Sequence, residues 1–473
     1  MKRKILFFIL SIFLLTSLRK DVSYEVKQKK DFEIFTQSLI DFQASFSINE
    51  LEKFNFLNTY FENKLTNLQQ FKLYSKYLSE LNCGHTYILP SKKVFEEWVM
   101  MKKSLPFDYI IEGKKLIVKD LLEEDLSLIH IGKLKHQQNL LPIHSEILTI
   151  DNKDINSMMN RIGEFVSSDE NDNNFKYYRT SQLFEFYRNL VFDTSLDSLR
   201  IKYKYNNDTV EVFVHLGYPP VKTINKRISK FYKQQEISSN KLGEFKIVND
   251  KVGLFTFRSF KNSYSKRFYD FLDQSFLQLK EKKIQNLVID LRNNTGGVMQ
   301  YEFMNYFLSE KIYLGEYIID KLRKNQSVDY LIKDQSFKNY KRICRNKKLN
   351  EIRLGKVYTN GQLKVNKYSG KIYVLTNEGT FSSASILACH LKTLANATIV
   401  GTSAGGSFYE GNSGSLNVKL PNNEFMFLLN PFKFRSHLSK SNNSVSIKNP
   451  DVFYISKGDL NDIYLILNKL NLN

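Results

Sequence analysis

The chain has 473 residues, 42% hydrophobic and 14% aromatic, enough apolar material for two or three domains with their own cores; an intrinsically disordered chain is excluded. Lys and Arg number 69 against 49 Asp and Glu, a formal charge of +20, but the basic residues are spread along the whole chain. There is no long basic tract and no aromatic-interleaved pattern, so nucleic acid is not an expected partner.

In chain order, the first signal is "MKRK" followed by an 11-residue apolar run, "ILFFILSIFLL" (Ile5 to Leu15). A basic start and an apolar run too short to span a bilayer comfortably fit a secretory signal. Ser17 is the one small residue placed for cleavage, and an uncleaved N-terminal anchor over residues 1–20 stays open. Export to a periplasm or the medium is the expectation. Residues 21–95 carry apolar positions at three- and four-residue spacing, as in "FKLYSKYLSELN", and read as a helical region that Gly84 breaks in "NCGHTYI".

Over residues 100–220 short β-like runs alternate: "FDYIIEG", "KLIVKDL", "SEILTIDN", "SLRIKYKY" and "TVEVFVHL". One helix, "INSMMNRIGEFV", is expected among them. The segment "LPIHSEILTIDNKDI" resembles the strand–turn–helix element of a PDZ module, without its glycine. The polar, basic "PPVKTINKRISKFYKQQEISSNK" reads as a linker. Over 240–473 strands and helices alternate, and "IQNLVIDL" is a near-continuous apolar run, as in a strand buried on both faces. Strand–helix–strand order implies an α/β core. Residues from about 310 to 370 read as irregular and polar.

Three cysteines, Cys83, Cys344 and Cys389, and seven histidines supply no disulfide framework and no metal-ligand spacing, so no metal and no cofactor are expected. Chemistry concentrates in three segments. In "VIDLRNNTGG" (Val288 to Gly297) a buried strand runs into Asp290 and Arg292 and then a polar turn. Its paired glycines can turn backbone N–H groups toward a developing oxyanion, or can simply make a tight turn. In "NEGTFSSASILACHLK" (Asn377 to Lys392) serines stand where a strand gives way to a helix. They can cap the helix, or one can be a nucleophile in the favourable field of its N-terminus. In "NCGHTYI", a lone His85 follows a helix end; it can be structural, or it can be the base that a serine needs to attack at neutral pH.

Together the three segments resemble the C-terminal processing (tail-specific) peptidase family, in its histidine-using, tricorn-like branch. "NLVIDLRNNTGG", "VLTNEGTFSSASILACHLK", "IVGTSAGG", "LNCGHTYI" and "IKNPDVFYI" are similar to that family's successive motifs. The resemblance implies a ClpP/crotonase-like α/β catalytic domain beside the N-terminal helical region and a degenerate PDZ-like α+β module. It implies a serine peptidase acting on peptides or protein C-termini. Ser385 fills the slot of the family glutamate, which makes Ser382 the nucleophile. Ser383 and Gly297 then supply oxyanion N–H groups, and His85 acts as base. The lysine base of many members would fall at position 407, occupied here by Ser407, and Lys392 lies elsewhere on the helix. Cys83 stands where an aspartate is usual. Glu410 is the candidate to orient His85, and Asp451 is expected to be structural. These departures leave open a non-catalytic protein that binds peptides or apolar ligands on the same fold.

Overall fold

The computed structural model describes residues 24–44, 65–91, 103–112, 114–121, 141–192, 197–217, 243–260, 266–297, 301–319, 329–345, 352–359, 366–440, 449–455 and 462–472. The N-terminal basic and apolar run and the linker read at 219–241 lie outside them. Among the described residues no helix is long and apolar enough to cross a membrane.

The near-continuous apolar run around "NLVID" becomes strand β10 (Asn286–Asp290), all five residues of which are buried. It lies between β9 (Val252–Thr256) and β13 (Lys371–Thr376), parallel to both, with Asp290 opposite Thr256 and Leu375. β14 (Thr398–Gly401) and β19 (Val452–Phe453) extend the parallel set beyond β13. β8 (Glu244–Asn249) closes the other edge antiparallel to β9. A strand buried on both faces needs helices above and below. Helix α6 (Lys266–Glu281) covers one face with Phe268, Leu272, Phe276 and Leu279, and α9 (Ser383–Ala395) adds Ala384, Leu387 and Leu391 to the same core. Helix α10 (Ile463–Lys469) covers the other face through Ile463, Ile466 and Leu467. This is the α/β domain read from the sequence.

The run of short strands after residue 100 forms an antiparallel sheet in the order β2 (Phe107–Glu112), β3 (Lys115–Leu121), β4 (Glu146–Ile150), β6 (Ser198–Tyr205), β7 (Asp208–His215), with β5 (Lys153–Asp154) paired to β4. Its core takes Met158, Met159 and Ile162 from α3 (Ile155–Gly163), the expected helix. Two further helices, α4 (Asn173–Gln182) and α5 (Phe184–Val191), follow within a stretch for which the sequence reading expected one helix. Asp172 caps α4 by accepting from the N–H groups of Asn174 and Phe175.

The N-terminal helices α1 (Tyr24–Phe42) and α2 (Asn67–Ser79) do not form a core of their own. Their aromatic faces pack on a hairpin from the far end of the chain, β16 (Leu416–Lys419) and β17 (Met426–Leu429). Phe35 lies 4.6 Å from Tyr74 and 4.9 Å from Phe427, centroid to centroid. The two-residue β1 (Ile88–Leu89) pairs antiparallel with β17. The loop carrying His85 is therefore tied at both ends to the second half of the chain.

Residues 310–370 are not irregular throughout. They contain β11 (Tyr313–Ile319), α8 (Gln335–Arg345) and β12 (Ile352–Tyr358), after a short α7 (Tyr301–Met304). β12 and β11 continue into β18 (Phe432–Ser436) and β15 (Glu410–Ser413) as a four-stranded antiparallel sheet. Lysines and glycines in "LGEYIIDK" and "IRLGKVY" mask the alternation, while Phe337 and Tyr340 of α8 are buried in the core shared with α1.

Candidate functional site

β10 and β13 both end at the same edge of the parallel sheet, and the turns that follow them are bolted together. Asn293 N–H donates to Asn377 Oδ1 (2.8 Å), and Asn377 Nδ2 donates to Asn293 Oδ1 (2.9 Å). Thr380 Oγ1 donates to Leu291 O (2.9 Å) and Phe381 N–H to Asn294 O (2.9 Å). Gly296 N–H is held by Asn294 Oδ1 at 2.9 Å. Asp290 and Arg292 are consumed by structure: Arg292 Nε and Nη2 each reach the Asp290 carboxylate at 2.9 Å, and Arg292 Nη1 reaches Asp462 Oδ1 at 2.6 Å. Burial pushes the Asp290 carboxyl up, but Arg292 and Arg258 outweigh it and hold the group below its ordinary range.

Ser382 occupies the N-cap position of α9 without capping it, since its side chain makes no cap hydrogen bond. Its backbone sits at φ 58°, ψ −129°, a region costing a non-glycine residue roughly 1–3 kcal/mol and found where surrounding structure imposes it. In place of a cap bond, Ser382 Oγ meets His85 Nε2 at 2.8 Å. Ser383 is the first residue of the helix, so its N–H belongs to the unpaired first turn; its own hydroxyl is buried without a partner. Ser385 Oγ donates to Thr380 O at 2.8 Å and braces the turn. Gly296 lies under Ser382: a methyl group built there would come within 2.7 Å of Ser382 Cβ. Gly297 follows at φ 139°, and Phe260 N–H takes the carbonyl before it, at Gly296 O, 2.9 Å.

His85 reaches this point from the loop between α2 and β1. Its ring packs on Phe381 (4.6 Å between centroids), which in turn stacks on Phe175 of α4 at 4.3 Å. Burial pushes the imidazole below its ordinary value and Arg179 adds to this, while Asp169 opposes it. Asp169, in a 3₁₀ turn (Asp169–Asn171) after α3, is the carboxylate at His85, with Oδ1 3.9 Å from Nδ1. It is fixed by Gly84 N–H to Oδ1 (2.8 Å) and by Ser407 N–H to Oδ2 (3.2 Å). Ser407, at the position where the resemblance would put lysine, also places its hydroxyl 3.1 Å from Glu170 Oε1.

Glu410 is corrected. Its carboxylate is half exposed and held by Arg435 Nε at 2.6 Å, a pairing set by the β15–β18 register, and the acid within ion-pair distance of His85 is Asp169. Asp169 was missed because it lies in another sheet's connecting loop. The acidic break "SSDEND" after an amphipathic helix marks a turn but not its destination. Lys392 pairs with Asp451 Oδ1 at 2.8 Å, away from the serine, and Asp451 Oδ2 also takes Ile399 N–H.

The sequence model of peptidase family S41 matches residues 251–429, the stretch that holds both bolted turns and Ser382. Over those residues the chain is similar to peptidase family S41. The matched stretch is a peptidase domain. The chain is similar in fold to mature CPAF complexed with lactacystin, at TM-score 0.57 and 14% identity over 94% of this chain and 98% of that one. A serine-to-alanine mutant of CPAF gives TM-score 0.59 and 14% identity over 94% and 97%. The photosystem II D1 C-terminal processing protease gives 0.40 and 13% over 92% and 93%. No curated protein matches the sequence.

Behind the serine turn of this S41 domain, Glu378 is buried beside a cavity of about 270 Å³ lined also by Ile110, Glu112 and Thr402. Burial pushes its carboxyl up to about 7. Between the ordinary 4.5 and about 7 an unfolded chain releases this proton while the folded one keeps it, so the group costs stability as pH rises through that window. Glu378→Gln should therefore stabilise the protein at pH 8 by roughly 3 kcal/mol, with the gain vanishing below about pH 4.5. Denaturant unfolding at the two pH values checks this, and an equal gain at both would refute it.

Proposed function

We propose that the chain is a serine endopeptidase of family S41 that cleaves peptides or protein C-terminal regions with a Ser382–His85 pair, the histidine-using form of the family. The observation that carries this is the 2.8 Å approach of His85 Nε2 to Ser382 Oγ on a serine whose backbone is strained to present it. Neutral His85 takes the Ser382 proton as Oγ attacks the peptide carbonyl carbon. The N–H groups of Ser383 and Gly297 receive the oxyanion, each contributing roughly 3 kcal/mol of barrier lowering. His85 then gives its proton to the leaving amine, and water hydrolyses the acyl-serine by the same steps reversed. Asp169 orients the imidazole and favours its charged form.

The antiparallel sheet over 100–220, with α3 against it, supports reading that region as a degenerate PDZ-like module, between a 21–95 helical region and a 240–473 peptidase domain. Substrate would add as an extended strand at the site. The basic and apolar N-terminus supports export, to a periplasm or the medium, with or without a retained anchor over 1–20.

The test is active-site labelling of the full chain with a fluorophosphonate probe. Labelling is expected at Ser382 and absent in Ser382→Ala. A folded protein that stays unlabelled would favour the peptide-binding alternative.

A further inference from the structure

The sequence spacing offered no metal site, but the fold brings three donor types together behind the imidazole. Cys83 Sγ, His85 Nδ1 and an Asp169 carboxylate oxygen all lie within 4.8 Å of one another. Cys83 and His85 flank Gly84, and the Gly84 N–H binds Asp169 Oδ1 at 2.8 Å, so the carboxylate is already held at the loop that carries the two other donors. Among the described residues the buried His85 Nδ1 has no hydrogen-bond partner, and the 3.9 Å to Asp169 Oδ1 is too long for one. Cys83 is buried, its sulfur 3.2 Å from Thr86 Oγ1 and 3.6 Å from Asn430 Oδ1.

We propose that Cys83, His85 Nδ1 and Asp169 bind a zinc ion, on the side of His85 opposite Ser382, and that this ion switches the peptidase off. One thiolate sulfur, one imidazole nitrogen and one carboxylate oxygen form a borderline-soft set suited to Zn²⁺, with a fourth position left for water. Zinc bonds of about 2.0–2.3 Å in a tetrahedron put donors roughly 3.3–3.8 Å apart, so small side-chain rotations complete the site from the spacing seen. Thiolate and carboxylate neutralise the ion's charge, which limits repulsion from Arg179, whose Nη1 donates to Gly84 O at 3.0 Å.

Inhibition follows from the tautomer. In the working form Nδ1 carries the ring proton and Nε2 is free to accept from Ser382 Oγ. When zinc takes the Nδ1 lone pair, that ring proton moves to Nε2 and the Cys83 thiol proton leaves to solvent. Nε2 then donates to Ser382 Oγ and can no longer take its proton. The inhibitory consequence rests on the Ser382–His85 mechanism proposed above; the binding itself does not.

Cobalt(II) serves as the probe for binding. Titrated into the reduced full chain, it should give a thiolate-to-cobalt charge-transfer band and tetrahedral visible bands at one ion per chain, displaced by zinc. The charge-transfer band should vanish in Cys83→Ser. A missing band, or one that survives in Cys83→Ser because Cys344 or Cys389 supplies the thiolate, would overturn the site. If Cys83→Ser does not fold, Asp169→Asn replaces it and should weaken cobalt binding at least tenfold; unchanged affinity overturns the proposal. Fluorophosphonate labelling of Ser382 should fall at least tenfold in saturating zinc and return with a chelator, and in Cys83→Ser the ratio with and without zinc should lie within twofold of one. Zinc-insensitive labelling of the wild type refutes the switch. Labelling that is absent even without zinc removes the peptidase mechanism and leaves the metal site to the cobalt spectrum.

Discussion

Replacing His85 with glutamine should abolish peptide hydrolysis and fluorophosphonate labelling while leaving the fold stable. Glutamine can still hydrogen-bond to Ser382 Oγ but cannot accept and carry its proton. Losing the base of a serine–histidine pair costs roughly ten-thousand-fold or more in turnover. The serine turn is held by contacts that do not involve His85, including Phe381 N–H to Asn294 O and Ser385 Oγ to Thr380 O. Stability in denaturant should therefore change by no more than about 1 kcal/mol. The pH profile carries a further sign. The base works when neutral, and burial holds His85 below its ordinary 6.5, so the acid limb of kcat/KM should lie below pH 6.5. Asp169 opposes that lowering. Asp169→Asn should thus cut activity roughly a hundredfold or more and also move the acid limb further toward acid. A purely structural loosening would rehydrate the imidazole and move the limb the other way. Retained labelling in His85→Gln, or an acid limb that rises in Asp169→Asn, would contradict the assignment.

The legible parts of this protein were those specified by local pattern. The apolar run of β10 can only be a strand covered on both faces, and the two glycines after it can only be a turn. The serines of α9 could be placed at a helix start but not ranked by local pattern alone. In the fold they differ in conformation: Ser382 alone of the three takes positive φ, Ser383 begins the helix, and Ser385 turns back to brace Thr380. Asp169 was not legible because the neighbourhood of His85 is assembled from separate segments. α2 and β1 deliver the histidine, the turn after α3 delivers the acid, and Ser407, following β14, supplies an N–H that fixes the acid. No periodicity links residues so far apart in sequence. Glu410 failed as the orienting acid for the converse reason. Its nearness to the "AGG" turn in sequence said nothing about the β15–β18 pairing that commits it to Arg435.

The second large effect should come from the smallest substitution, Gly296→Ala. At φ +86° an alanine is strained wherever it sits, at roughly 1–3 kcal/mol. The added methyl would also stand 2.7 Å from Ser382 Cβ, 2.9 Å from Phe381 O and 3.0 Å from Ser383 N. Two of these neighbours are backbone atoms at the start of α9, and neither can rotate aside as a flexible side-chain end could. Relief would have to come from moving the two bolted turns apart, which pulls on Asn294 and Asn377 and carries Ser382 away from His85. We expect a loss of roughly 2–4 kcal/mol in unfolding stability and at least a hundredfold loss of labelling rate. Gly411→Ala is the matched control, because a methyl there meets nothing within 4 Å, and its effects should stay within about 0.5 kcal/mol. If Gly296→Ala labels Ser382 at the rate of the parent, the close approach of the glycine turn to the serine is not what sets the reacting geometry. If it loses labelling while its pH profile keeps the parent's acid limb, the damage lies in the position of Ser382 and not in the base. The two substitutions, His85→Gln and Gly296→Ala, therefore separate the proton acceptor from the cradle that presents the serine to it.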